Sequence, residues 1–310
     1  MEDTAFVDGT DGSADGTDGS ADGGLRGRTE PDTASEATLK PQSLMLNFLG
    51  NFALDGDVCI YSGSIIKVFE RTGVGERATR STLSRMVDRG LLRRQRAGRR
   101  MYFGLTDRAT AVLRDGERRL LKQGAVNDTW DGTWTLLAFS LPESSQGRRH
   151  DLRSQLTWSG FGPLIGGLWI APGDVDVTRI TGDPALSPHV TAFRSTADPV
   201  TDVARVIHNT WDLDTPASGY RAFRHRWLAF AEGQGAATSG SDLDALALKL
   251  RLQTEWLHIV HADPRLPVQH LPADWPAAAA QDIFRRADAR VDETARASAE
   301  LLLETIPLRG

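Results

Sequence analysis

At 310 residues, with 40% apolar and 25% charged side chains, the chain is long enough for two or three domains with cores of their own. A single cysteine, Cys59, excludes an internal disulfide. An acidic, glycine-rich N-terminus and the lack of any run of about 18 apolar residues argue against a secretion signal or membrane span, so a soluble, cytoplasmic protein is expected. The net charge of -5 opposes nucleic-acid binding only until it is located along the chain. Ten acids against two arginines fall in residues 1–36, whereas fourteen arginines and no lysine face five acids in residues 71–119.

The first 38 residues repeat Asp-Gly-Thr-Asp-Gly-Ser-Ala and lack the apolar side chains needed to offset the entropy of ordering. They are expected to be a disordered tail, either solubilising or an acidic decoy that competes with DNA. Residues 39–123 read as a winged helix-turn-helix. An amphipathic helix over 43–54 carries Leu44, Phe48 and Phe52 on one stripe. A second helix holds Ile65, Ile66, Val68 and Phe69 and closes at Gly73, and a third runs from 76 to 89 with Leu83, Met86 and Val87 inward. Residues 91–105 then form two short strands around a glycine-containing turn, and 106–123 a helix leading out.

Residues 124–216 read as a small α+β domain of ferredoxin-like type. A strand over 131–140, a helix over 148–158, a strand over 165–170, a strand over 190–193 and a helix over 203–211 give its order. Residues 217–310 are expected to be mainly helical, over 220–232, 243–261 and 277–303, with a proline-rich break at 263–276. The fold class is therefore α+β in three parts.

The chemistry follows from placement. A helix enters the major groove and reads base edges from its N-terminal half, which here offers Arg77, Thr79, Arg80, Ser81, Thr82 and Ser84, with Arg85 one turn on. Arginine suits bidentate contact with guanine, so Arg77, Arg80 and Ser81 are the expected base readers. The hairpin carries Arg93, Arg94, Arg96, Arg99 and Arg100, a density suited to phosphate neutralisation or a narrow minor groove. A solvated basic surface, or a module for protein contacts, is the alternative. Dinucleotide, phosphate-loop and nucleophile-elbow signatures are missing, and His258, His261 and Asp263 make at most a partial metal site. No catalytic residue and no metal or cofactor are expected. Trp134, Trp158 and Trp169 are expected to build a core, or an aromatic wall for a ligand.

Three sets of residues, in order, carry a family resemblance. The first is Gly63-Ser-Ile-Ile66 with the run from Gly75 to Val87. The second is Trp130-Asp-Gly-Thr-Trp134, Leu141-Pro-Glu143, Gly160-Phe-Gly-Pro-Leu164 and Gly167-Leu-Trp-Ile-Ala-Pro172. The third is Asp263-Pro-Arg-Leu-Pro267 with Leu271-Pro-Ala-Asp-Trp-Pro276. Residues 40–305 thereby resemble the PaaX-type repressors of phenylacetate catabolism. The resemblance implies a homodimer that binds a palindromic double-stranded operator and is released by an aryl-CoA thioester such as phenylacetyl-CoA. It also implies a middle domain similar to the small CRISPR-associated nuclease, whose first strand ends in aspartate where this chain has Ser140. A CoA effector needs cations for its phosphates and an apolar pocket for its acyl group. Arg148, Arg149, Arg153, Arg221, Arg224 and Arg226 are the candidate cations, and Trp169 a candidate wall. The alternatives are a same-family regulator with another effector and a metal-dependent nuclease on the middle domain.

Overall fold

The structure is a computed structural model; it describes residues 40–117, 125–142, 145–181, 186–234 and 244–308. The acidic repeat segment lies outside these residues, as do 118–124, where the helix leading out of the N-terminal head, residues 39–123, was expected to end.

Helix α1 (Pro41–Phe52) begins on a proline, whose fixed φ and missing N–H suit a first helical position. Strand β1 (Val58–Tyr61) runs directly into helix α2 (Ser62–Arg71), and a four-residue turn leads to helix α3 (Glu76–Asp88). Gly73 takes φ +86° in that turn, which a side chain would strain. Strands β2 (Leu92–Ala97) and β3 (Arg100–Leu105) form a hairpin whose two-residue loop starts with Gly98 at φ +60°. Helix α4 (Asp107–Glu117) follows. Phe48 meets Phe69 edge to face at 5.8 Å, and Leu44, Ile65, Val68, Leu83 and Met86 complete the buried cluster that holds the three helices together.

The middle unit threads β4 (Thr133–Phe139), α5 (Gln146–Trp158), β5 (Gly162–Ile165), β6 (Leu168–Pro172), the short α6 (Val177–Ile180), β7 (Val190–Thr196) and α7 (Val203–Thr210). Its four strands pair antiparallel in the order β5-β6-β4-β7, the arrangement of a ferredoxin-like sheet. The sequence reading of 165–170 as one strand is corrected here. Gly166 and Gly167 both adopt positive φ, +54° and +88°, and turn the chain back between β5 and β6. One face of the sheet packs Leu137 and Trp169 on Leu152 and Leu156 of α5. The other packs Trp134 and Ile170 on Ile207 of α7 and on Leu266.

Helices α8 (Asp214–Ala231), α9 (Ala245–Ala262) and α10 (Ala277–Leu302) follow, and Tyr220, Phe223, Trp227, Trp256 and Phe284 fill the core between them. Trp256 stacks on Phe284 at 4.8 Å. This segment does not stand apart as a purely helical unit. Leu246, Leu250 and Ala299 belong to the head's cluster, and the chain ends in a strand, β8 (Thr305–Pro307), that pairs with β1. The head's sheet therefore has the order β2-β3-β1-β8, and its last strand comes from the far end of the chain. The amide of Asn47 on α1 seals the joint by donating to the Leu250 carbonyl and the Thr254 hydroxyl, each at 3.1 Å.

Candidate nucleic-acid interface

Helix α3 has two faces set by the 3.6-residue period. Leu83 and Met86 anchor the inner one, and Thr79 and Thr82 share it, at 0% and 1% exposure. Both threonines were expected among the DNA contacts, and their burial corrects that. The Thr79 hydroxyl donates back to the Gly75 carbonyl at 3.2 Å, and the Thr82 hydroxyl accepts from Arg85 at 3.3 Å. The outer face presents Arg77, Arg80, Ser81 and Arg85, with Ser84 half-buried beside them. From Arg77 to Arg85 this face spans about 12 Å along the axis, and a helix about 10–12 Å across fits the width of the major groove. An open groove of about 540 Å³, lined by Pro41, Arg77, Ala78, Ser81 and Arg85 among others, runs along it.

Arg80 is held by Glu76 through an exposed pair at 2.6 Å. Such pairs contribute about 0.3–0.5 kcal/mol, so a phosphate or a guanine displaces the carboxylate at little cost. Arg94 donates to the Ser84 hydroxyl at 3.2 Å, tying the hairpin to α3. Arg96 donates to the Gly98 carbonyl and Arg93 to the Leu105 carbonyl, both at 3.1 Å. Arg94, Arg96, Arg99 and Arg100 are exposed and Arg93 is half-buried.

Arg100 differs from the rest. It pairs with Glu304, just before β8, and lies 5.1 Å over the Tyr61 ring. Glu304 also accepts from the Tyr102 hydroxyl, and that bond together with Arg100 holds its carboxyl below the usual range. Sequence reading missed Glu304 altogether.

The candidate effector residues scatter over two helices. Arg148 and Arg153 are exposed on α5, and Arg149 donates to the Leu141 carbonyl at 2.7 Å. On α8, Arg221 and Arg224 are exposed, and Arg221 lies 4.0 Å from Asp274. Arg226 is taken by the buried Glu255, which also accepts from the Trp227 indole at 2.8 Å. Trp169 packs in the core beneath α5, the first of its two expected roles and not the ligand wall, whereas Trp158, also expected in a core, is exposed on that helix. The cavity of the middle unit lies on the opposite sheet face. It has a volume of about 110 Å³ and is lined by Trp134, Leu136, Leu164, Ile170, Val203 and Val206, with Ser195, Thr196 and Thr201 at its polar side.

Asp263 is a structural residue rather than a metal ligand. It is buried, accepts from the Tyr220 hydroxyl and the Arg265 amide at 2.7 Å each, and has its pKa raised by that burial. His261 packs against the Trp158 ring. Among the described residues no three His, Cys, Asp or Glu side chains cluster as a metal site would require, and no helix is long and apolar enough to cross a membrane.

Comparison with known proteins follows the same three parts. Family models match residues 40–109 (PaaX-like protein), 127–207 (PaaX protein central Cas2-like domain) and 211–300 (PaaX-like protein C-terminal domain). The Transcriptional repressor PaaX of Escherichia coli (strain K12) is 28% identical over 231 residues, covering 72% of each chain. Among solved structures, the uncharacterized protein Rv0674 from Mycobacterium tuberculosis superposes with a TM-score of 0.54 at 21% identity. That match covers 84% of this chain and 98% of the other, and it bears on the fold alone. With all three parts matched in order, the chain belongs to the PaaX family.

Proposed function

We propose that the chain is a transcriptional repressor that binds double-stranded operator DNA through a winged helix-turn-helix formed by residues 40–117. The observation that carries this reading is the outer face of α3, where Arg77, Arg80, Ser81 and Arg85 stand clear of the core beside the arginine-rich hairpin. In this reading α2 and α3 are the helix-turn-helix, α3 is the recognition helix, and β2–β3 is the wing. The E. coli relative, a transcriptional repressor by name, supports the same role.

The repressor acts as a homodimer on a palindromic site, with half-sites about 10 base pairs apart or a multiple of that. Support for a dimer lies in the middle sheet. Helix α7 covers the end of one face near Trp134 and Ile170. On that face Phe193, on the edge strand β7, pairs across from Leu136 and is 64% exposed, while Ile165, on the opposite edge strand β5, is 76% exposed. An aryl-CoA thioester such as phenylacetyl-CoA is the effector. The apolar cavity beside Trp134 is of the scale that accepts a single aromatic ring, and exposed arginines on α8, with those of α5 on the other side of the sheet, are the candidate cations for the phosphates. A ligand releases DNA only by binding the released geometry more tightly.

Footprinting the chain on the promoter regions beside its own gene tests the reading. Two protected half-sites in phase, lost on adding phenylacetyl-CoA but not the free acid, are expected. Protection without phase or sequence preference would reduce the chain to a non-specific basic protein, and release by a different thioester or acid would change the effector alone.

A further inference from the structure

Residue 304 stands where the long helix α10 passes into the strand that completes the head's sheet. Its backbone is fixed at both ends: the Glu304 amide donates to the Ser64 hydroxyl at 3.1 Å, and its carbonyl accepts from the Tyr61 amide at 2.8 Å. Further along, the Leu308 amide donates to the Asp57 carbonyl at 2.7 Å, and the Gln95 side chain donates to the Pro307 carbonyl at 3.0 Å. Leu302 and Leu303 pack on the head's cluster, while Ile283 and Phe284, at the other end of the same helix, sit in the C-terminal core. The C-terminal helices therefore set where the Glu304 carboxylate lies.

That carboxylate meets one arginine of the hairpin. Arg94 and Arg96 are held by neutral oxygens, of Ser84 and Gly98, and keep their full positive charge for a polyanion. Arg100 is held by a carboxylate, and the Tyr61 ring beneath it fixes the guanidinium in place. Glu76 beside Arg80 is an exposed neighbour one turn away on the same helix, whereas a phosphate reaching Arg100 would have to displace a carboxylate that the Tyr102 hydroxyl and a backbone bonded to Ser64 and Tyr61 also hold in place. We propose that Glu304 is a C-terminal latch that keeps Arg100 off the DNA backbone, so that the chain end limits how many cations of the hairpin engage phosphate. Glu304 is a positioning residue in this role, and the inference rests on the reading of the head as a DNA-binding module.

The salt dependence of binding counts engaged phosphates, with a slope of about -0.9 in log affinity against log salt for each. The full chain is titrated onto a random-sequence 30-base-pair duplex, followed by fluorescence anisotropy between about 50 and 200 mM salt. Glu304→Gln retains an acceptor for Tyr102 and removes the charge. It should steepen the slope by about one unit per head, a further three- to fourfold of affinity gained at the low-salt end. Glu304→Asp should keep the original slope. Arg100→Gln, at an exposed side chain, should leave the slope nearly unchanged because that cation is already neutralised, whereas Arg96→Gln should flatten it by about one unit.

A Glu304 that only braces the sheet would give weaker binding and a lower melting temperature in Glu304→Gln, with no steepening, and that result overturns the latch. If Glu304→Gln fails to fold, the arginine pair decides: equal losses for Arg100→Gln and Arg96→Gln overturn it. Failure of the unaltered chain to bind any duplex at low salt removes the DNA reading itself, and the latch with it.

Discussion

The two sheets of this protein are built on opposite plans. The middle sheet takes all four strands from one stretch of chain, 133–196, joined by a helix, a tight hairpin and a short crossover. The head's sheet draws three strands from 58–105 and its fourth from 305–307, after the chain has passed through every other part of the molecule. Closing a long loop costs little more entropy than closing a moderate one, so such a strand is thermodynamically affordable. What it changes is dependence: the middle sheet is complete without the C-terminal helices, and the head is not.

Deleting residues 304–310 breaks that comparison most directly. The head loses the β1–β8 pairing, the bonds from Tyr61 and Leu308, and the Glu304 contacts with Ser64, Arg100 and Tyr102. At about 0.5–1.5 kcal/mol net for each bond, the loss is on the order of 3–5 kcal/mol. Hydrogen exchange should show the amides of β1 losing protection while those of β4 keep theirs. Equal loss in both sheets would mean that the molecule unfolds as a single unit and that the contrast has no energetic meaning.

A pair of glycines sharpens the same contrast. A methyl group on Gly104 of β3 would meet the Cys59 sulfur at 2.6 Å and a methyl of Leu308 at 2.7 Å, so part of the crowding comes from the C-terminal segment. Gly104→Ala should cost about 1–3 kcal/mol, and part of that cost should vanish in the chain lacking 304–310. Gly167 meets nothing within 4 Å and needs glycine only for its φ of +88°. Gly167→Ala should cost about 1–2 kcal/mol whether or not the C-terminus is present. Urea unfolding of the six chains, the parent, the deletion and each glycine variant with and without it, measures both couplings, and a Gly104→Ala cost indifferent to the deletion would remove Leu308 from the account.

How legible each sheet was in the sequence follows from the same difference. Helix and strand signals are local, so most of the middle unit could be read from 130–211, but the turn at Gly166-Gly167 was lost inside what looked like one apolar strand, and with it β5 as a separate strand, while the single-turn α6 was not read. In the head, α3 and the hairpin were legible from arginine density and from the stops at Gly90 and Gly98. Strand β1 was not, because Val58–Tyr61 is four residues long and passes into α2 with no turn between. Strand β8 is shorter still, contains Pro307, and is a strand only because β1 offers it an edge. Glu304 depends on that pairing, so no local pattern marks it. Thr79 and Thr82 are a different matter. They lie four and one residues before Leu83, on the stripe that continues to Met86, and the period that identified the helix also placed them inside.

The smallest effect is expected at the joint that carries the C-terminal helices to the head. Lys249 of α9 is buried and donates to Asp292 of α10 at 2.5 Å, with Asp288 at 3.5 Å. Asp288 also accepts from Gln253 at 2.9 Å, and Arg296 pairs with Asp292 at 2.9 Å. The Lys249 hydrogen bond holds the Asp292 carboxyl below its ordinary range. A carboxyl whose pKa is lower folded than unfolded stabilises the fold above its ordinary value of about 3.9, and that contribution fades as pH falls through the folded-state value. Asp292→Asn should therefore cost about 1 kcal/mol at pH 7, since Asp288 still faces the lysine and Asp292 is about a third exposed to screening solvent. The gap to the parent chain should narrow as the pH is lowered to about 3. Urea midpoints across that range decide the matter: a gap that stays constant with pH would show that Asp292 acts through packing and not through its charge.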